Sequence, residues 1–217
     1  MVTRRQVNAG LVSAAALATA RKAAAQPATT IELPPPRMEG GKPLMEALKL
    51  RRSTRAFSGR PLPRQTLSDL LWAAFGINRP ASGDRTAPYW RHLMAIDVYV
   101  VMADGVWVYE PKPHALVLHS RADIRAATGR QDFAAAAPLN LVYVAHGDRM
   151  PGVSAEDRRL FAAVDAAFIG ENVYLFCASE ALATVFRGAI DYPKLAAALQ
   201  LGAGQFVTFA QTVGYPA

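Results

Sequence analysis

Leu48-Lys49-Leu50-Arg51-Arg52-Ser53-Thr54-Arg55-Ala56-Phe57 and, beyond Pro63, Leu67-Ser68-Asp69-Leu70-Leu71-Trp72-Ala73-Ala74-Phe75-Gly76 are the stretches on which the fold turns. Leu44, Met45, Leu48 and Leu50 recur at helical spacing behind Pro43, which suits a first helical turn, so 43–51 reads as a short helix. Pro63 opens a second helix whose Leu67, Leu70, Leu71 and Phe75 share one face and which ends near Gly76. Between the two helices stand three guanidinium groups and a hydroxyl. Arginine forks match phosphate oxygens, so Arg51, Arg52, Ser53 and Arg55 can present several donors to a phosphate or another anion. The same run also fits a solvated basic turn.

Further along, Ile96 to Met102 is β-rich and Val106 to Tyr109 follows across Ala103-Asp104-Gly105, a hairpin with an Asp-Gly turn. Asn140 to Ala145 reads as a buried strand. Ala155 to Leu182 is a long helix with Leu160, Phe161, Val164, Phe168, Leu175 and Phe176 in a broad apolar stripe, suited to a core or to a subunit interface. Pro193 to Leu199 is a short helix and Phe206 to Val213 a terminal strand. Helices and hairpins mix without regular βαβ alternation, so the class is α+β.

The chain has 217 residues, one cysteine and a formal charge of +7. Its length allows one sizeable domain with a real core. A lone Cys177 excludes an internal disulfide and a cysteine-based zinc site; inside the apolar helix it reads as a small buried residue. His92, His114, His119 and His146 lack metal-ligand spacing, so no metal is expected. No uninterrupted apolar stretch reaches the roughly 20 residues of a bilayer span. Four of the 24 basic residues (Arg4, Arg5, Arg21 and Lys22) lie in an acid-free stretch before residue 26, leaving 20 against 17 acidic ones. No dense basic stripe with interleaved aromatics remains, so nucleic acid is not an expected partner.

Residues 1–25 read as a cleavable export signal: Arg4-Arg5, a mild apolar stretch from Ala9 to Ala20, and Ala23-Ala24-Ala25 as a cleavage site. Thr3-Arg4-Arg5-Gln6 resembles a twin-arginine motif without its usual large apolar pair, since Val7 and Asn8 follow. An Ala-rich N-terminal helix is the structural alternative. The expected location is periplasmic or secreted. Residues 26–42, with Pro34-Pro35-Pro36 and Gly40-Gly41, read as an extended linker that leads into the domain or wraps a partner subunit.

Taken together, the basic turn and the Leu-Leu-Trp-Ala-Ala helix resemble the opening of the nitroreductase-like FMN flavoproteins. Four later segments agree in order: Asp104 to Tyr109, Gly170 to Leu175, Leu182 to Gly188, and Thr212 to Pro216. The resemblance covers residues 43–217 and is closest to the thiazole/oxazole-forming dehydrogenases (azoline oxidases). It implies a mixed central sheet flanked by helices with a long central helix, in a homodimer holding two flavin sites at its interface. By position, Arg51 and Ser53 would hold the ribityl phosphate, with Arg52 along the same tail. Arg55 would face the pyrimidine edge, where a cation stabilises the reduced ring. Arg187-Gly188 would form the turn near the reactive nitrogen, with Gly188 permitting close backbone approach. Arg187 reads either as an acidic-substrate ligand or as a surface ion pair.

One loop departs from the family pattern. Relatives carry Pro-Ser-Ala/Ser-x-Asn-x-Gln where this chain has Pro88-Tyr89-Trp90-Arg91-His92-Leu93-Met94. Tyr89 and Trp90 would overpack a flavin site, stack on the ring, or mark a lineage without the cofactor. The expected function is that of an exported FMN-dependent oxidoreductase passing hydride or electrons between a donor and a small organic acceptor, with no catalytic side chain required. The alternative is a flavin-free binding or structural protein whose pocket Tyr89 and Trp90 fill.

Overall fold

A computed structural model describes residues 29–217 of the chain, so the expected export signal lies outside the described residues. Nine strands and five helices follow in order: β1 (Thr30–Glu32), α1 (Leu44–Leu50), α2 (Arg64–Phe75), β2 (Ile77–Arg79), β3 (Asp84–Arg85), β4 (Ile96–Met102), β5 (Gly105–Glu110), β6 (Ala115–Ser120), α3 (Phe133–Ala136), β7 (Leu139–His146), α4 (Ala155–Ser179), β8 (Ala183–Arg187), α5 (Tyr192–Ala198) and β9 (Gln205–Gly214). Seven strands form one sheet in the order β1-β6-β5-β4-β7-β9-β8, and β2 and β3 make a small separate ribbon. This is the expected α+β arrangement of a sheet flanked by helices with one long helix. Within the described residues all ladders of the large sheet are antiparallel.

The sheet has a core on each face. Alternation along β4 sends Ile96, Val98 and Val100 towards α2 and α4, and Tyr99 and Val101 towards α5 on the other side. β7 lies between β4 and β9 and is buried from Leu139 to Ala145, which is why it reads as a continuous apolar run.

The long helix is laid on the sheet by its small residues. Ser154 caps it, its Oγ accepting the Asp157 N–H at 3.0 Å, and Glu156 and Asp157 stand in the first turn, where carboxylates suit the helix dipole. Ala162, Ala166, Ile169, Gly170, Val173 and Cys177 are buried, whereas Leu160, Val164 and Phe168 of the expected stripe face outward, 57%, 42% and 45% exposed. A Cβ on Gly170 would sit 2.5 Å from the Phe186 ring, so the close approach of helix to sheet needs glycine there. Among the described residues, α4 alone passes for a membrane span by length and composition, with a mean hydropathy of 1.5 over its most apolar window. Here it packs against α1, α2, β8 and β9.

Three sequence expectations shift. The segment read as a linker contributes β1, paired with β6, and then crosses α2 as a strap: Arg37 donates to both carboxylate oxygens of Asp69, and the Lys42 N–H donates to Ser179 Oγ. The hairpin turns one residue early, on Ala103-Asp104, with Met102 opposite Gly105. Gly105 lies at φ 144°, and a Cβ there would strike the Ser120 carbonyl at 2.5 Å. The long helix stops at Ser179 rather than Leu182, because Ala181 turns to positive φ to start β8.

Candidate functional site

The basic turn leaves α1 and is sewn to the edge of the sheet. The Thr54 N–H donates to the Thr184 carbonyl of β8, the Ser58 N–H to the Tyr215 carbonyl, and Phe57 bridges Pro216. Tyr174 of α4 completes the seam. Its hydroxyl accepts the Phe186 N–H at 2.9 Å and lies 2.7 Å from Ser53 Oγ, while the Arg51 guanidinium sits 5.3 Å above its ring. Tyr174 was not singled out in the sequence, where it reads as one more aromatic on an apolar helix.

Arg51 and Arg52 open onto a cavity of about 440 Å³ between α1, the end of α4 and the start of β8. Lys42 and Lys49 line it too, and no Asp or Glu does. Lys42 is paired with Glu46 at 2.8 Å, but among the described residues Lys49, Arg51, Arg52 and Arg55 have no carboxylate within ion-pair distance. Cations held together without counter-charge make a focused positive potential. Arg forks beside a seryl hydroxyl are the donor set that a phosphate monoester matches. Cys177 lies under this cavity with its thiol buried, and burial pushes its pKa up, which disfavours the thiolate.

Arg187 occupies a different place from the one its sequence position suggests. It is 4% exposed and makes no ion pair among the described residues: Nε donates to Thr212 Oγ1 at 3.0 Å, Nη1 to the Thr128 carbonyl at 2.9 Å, and Nη2 to Asn140 Oδ1 at 3.0 Å. Burial without a carboxylate lowers its pKa to about 10. The guanidinium therefore faces inward as a tie between β7, β8, β9 and residues 125–129, and the surface ion pair is not formed. Gly188, next to it, is exposed, and a Cβ there would meet the Phe209 ring at 3.4 Å.

The divergent loop packs on its own chain. Pro88 is exposed. The Tyr89 ring meets Phe75 edge-on and its hydroxyl donates to Asp84; burial and that bond raise the phenol to about 12. Trp90 stacks on Phe161 of α4, with centroids 4.1 Å apart and planes at 11°, and its backbone N–H donates to Asp165 Oδ1 at 3.0 Å. Arg91 and His92 follow at φ 48° and 56°, a left-handed pair that costs non-glycine residues energy and that these contacts hold in place. Neither Tyr89 nor Trp90 lines the cavity beside Arg51 and Arg52. From Phe161 to Tyr174 is 13 residues of helix, about 20 Å at 1.5 Å per residue. One chain therefore brings Arg51, Arg52 and Ser53 together but leaves Tyr89 and Trp90 near the other end of α4.

Known proteins share this fold. The sequence matches the nitroreductase family over residues 48–215. A candidate nitroreductase of Methanocaldococcus jannaschii is 31% identical over 170 residues, which cover 74% of this chain and 85% of that one. The crystal structure of a candidate nitroreductase from Ralstonia eutropha superposes with a TM-score of 0.83 at 44% identity, over 87% of this chain and 90% of that one. The fold is shared as well with an NADPH:FMN oxidoreductase from Vibrio harveyi complexed with NAD+, with a TM-score of 0.60 at 20% identity over 80% of this chain and 68% of that one. With most of its length matched and its basic turn, long helix and closing strands in the expected order, the chain belongs to the nitroreductase family.

Proposed function

We propose that this oxidoreductase depends on FMN, works as a homodimer and is exported by a twin-arginine-type route to the periplasm or beyond. The observation that carries the cofactor is the acid-free cavity beside Arg51 and Arg52, which fits a phosphate monoester. Arg51, Arg52 and Lys49 of the cavity wall would neutralise the phosphate, and Ser53, outside that wall but bonded to its Tyr174, would add a hydroxyl at the rim. Arg55 would lie towards the pyrimidine edge of the ring and Gly188 would let backbone approach it. When bound, FMN supplies hydride and electron transfer; the protein contributes position, electrostatics and the exclusion of water.

The dimer is supported by two features. Leu160, Val164 and Phe168 follow one another at i, i+4 and i+8 on the outer face of α4, and Leu44, Met45, Leu48 and Leu50 add exposed apolar surface on α1. The two groups of expected site residues lie at opposite ends of the same helix. A two-fold axis across α4 would bring the basic turn of one subunit near the Tyr89–Trp90 loop of its partner.

Compartment then narrows the chemistry. NAD(P)H is scarce outside the cytoplasm, so the reading favours another electron donor, or the oxidative direction with dehydrogenation of a small organic substrate. Sustained NADH-dependent turnover by the mature protein would count against that part. The rival, a flavin-free protein with its pocket filled by Tyr89 and Trp90, is weakened because both rings are engaged on Phe75, Asp84 and Phe161 and lie outside the basic cavity. Colour decides between them: protein that purifies yellow, or turns so with added FMN, supports the enzyme, and protein that takes up no FMN supports the rival.

A further inference from the structure

A second cavity, sharing no lining residue with the basic cavity at Arg51, lies between α2, the β2–β3 ribbon and residues 111–114. Its volume is about 680 Å³, within the usual range for small-molecule sites. The walls are flat and apolar: Trp72, Ile77 and the rings of Pro36, Pro80 and Pro111. The Trp72 indole is fixed in place, since its Nε1–H donates to the Ile77 carbonyl at 3.1 Å.

Ser82 adds a neutral hydroxyl to the lining, and its charged part is cationic. Arg85 lies at the inner end and Lys112 also borders the space, and no Asp or Glu does. His114 is not a third cation. Ser68 Oγ donates to the Pro34 carbonyl, so His114 Nε2 donates to Ser68 while Nδ1 accepts from Tyr109, and burial lowers the ring's pKa.

Arg85 is the anomaly. Its guanidinium lies over the Phe75 ring, 5.4 Å from the centroid, but its Nε and Nη1 are buried with no hydrogen-bond partner among the described residues, and the hydrogen bond of its Nη2 goes to the Met94 thioether at 3.4 Å. Buried donors left unpaired are rare in folded proteins and call for an acceptor. Behind Arg85 and Met94 lies a smaller cavity of about 330 Å³ that contains Asp97 and Glu110. Asp97 is committed to Arg149 and His146, and Glu110 forms no ion pair with Arg85. Met94 is flexible and its sulfur a weak acceptor, so an oxyanion can take its place on the guanidinium fork.

We propose that this cleft binds a compact aromatic monocarboxylate, its ring held between Trp72 and the prolines and its carboxylate on Arg85, with Lys112 adding charge. The inference is independent of the flavin reading. Benzoate is the probe, benzamide its uncharged control, and calorimetry on the whole protein the measurement, with and without saturating FMN. Benzoate should bind one per chain whether or not FMN is present, and benzamide about tenfold more weakly or worse. Arg85→Gln should weaken benzoate about tenfold or more, and Lys112→Gln by about threefold, as expected for a buried fork and a peripheral charge. Should Arg85→Gln fail to fold, Ala81→Trp fills the mouth from an exposed position and should abolish binding with Arg85 intact. Equal affinity for benzoate and benzamide, undiminished binding in either blocking variant, no benzoate binding at millimolar concentration, or inorganic phosphate competing as well as benzoate would each overturn the proposal.

Discussion

The hydroxyls of Ser53 and Tyr174 lie 2.7 Å apart, which joins the basic turn after α1 to the C-terminal part of the long helix. Through its contact with the Phe186 N–H, the same phenol also reaches β8. Tyr174→Phe deletes both bonds and keeps the ring under Arg51. The expected outcome is a protein of nearly unchanged secondary structure that binds FMN about five- to tenfold more weakly, the loss of roughly one to one and a half kcal/mol of hydrogen bonding. Fluorescence titration of FMN measures it.

Asp165 is 2% exposed, its one hydrogen bond among the described residues comes from the backbone N–H of Trp90, and burial raises its pKa to about 6. A carboxyl whose folded pKa lies above its unfolded one binds more protons in the native state. Its ionisation therefore destabilises the fold as pH rises from about 4 through 6, and the penalty is complete at neutral pH. Asp165→Asn keeps an oxygen for Trp90 and removes the charge. It should stabilise the protein by about 1–3 kcal/mol at pH 7.5 and leave stability unchanged near pH 3.5, where wild type is protonated in both states. Urea unfolding at the two pH values checks the sign.

Gly129 has an extended backbone open to any residue, yet a Cβ there would lie 1.8 Å from Arg187 Nη1. The cost of Gly129→Ala is thus displacement of a buried guanidinium from Thr128 and Asn140, not backbone strain. We expect a loss of about 2–4 kcal/mol, from overpacking together with disturbed buried hydrogen bonds. Thermal unfolding should show it, with hydrogen exchange accelerated in residues 125–133.

Phe168→Asp places a charge in the exposed apolar stripe of α4 without touching the buried face. Sedimentation should show a dimer for wild type and a monomer for the variant, and FMN affinity should fall with dimer dissociation. A wild-type monomer that binds FMN at full strength would reject the interface reading.

The sequence was most legible where local signals and tertiary structure agree. α2 runs between Pro63 and Gly76 as its periodicity requires, and β7 is a buried strand because both its faces are covered. It was less legible where long-range contact decides. Thr30–Glu32 is a strand only because β6 lies beside it, and nothing in Pro34-Pro35-Pro36 announces that. The bulky residues of α4 suited a core or a subunit interface equally in the sequence; close packing on Phe186 selects Ala162, Ala166 and Gly170 for the inner face and turns Leu160, Val164 and Phe168 outward. In the sequence Arg187 reads as a substrate ligand or a surface ion pair. Only the meeting of Thr128, Asn140 and Thr212 from three distant segments makes a buried place for it.

The most direct measurement is FMN binding by the wild-type protein and by Arg51→Ala, followed through the flavin absorbance and its fluorescence quenching. Stoichiometric uptake by wild type, weakened in the variant by about 1.5–3 kcal/mol for loss of a charge-assisted fork, is the predicted result. A protein that takes up no FMN, or a variant that holds it as tightly as wild type, would contradict the account.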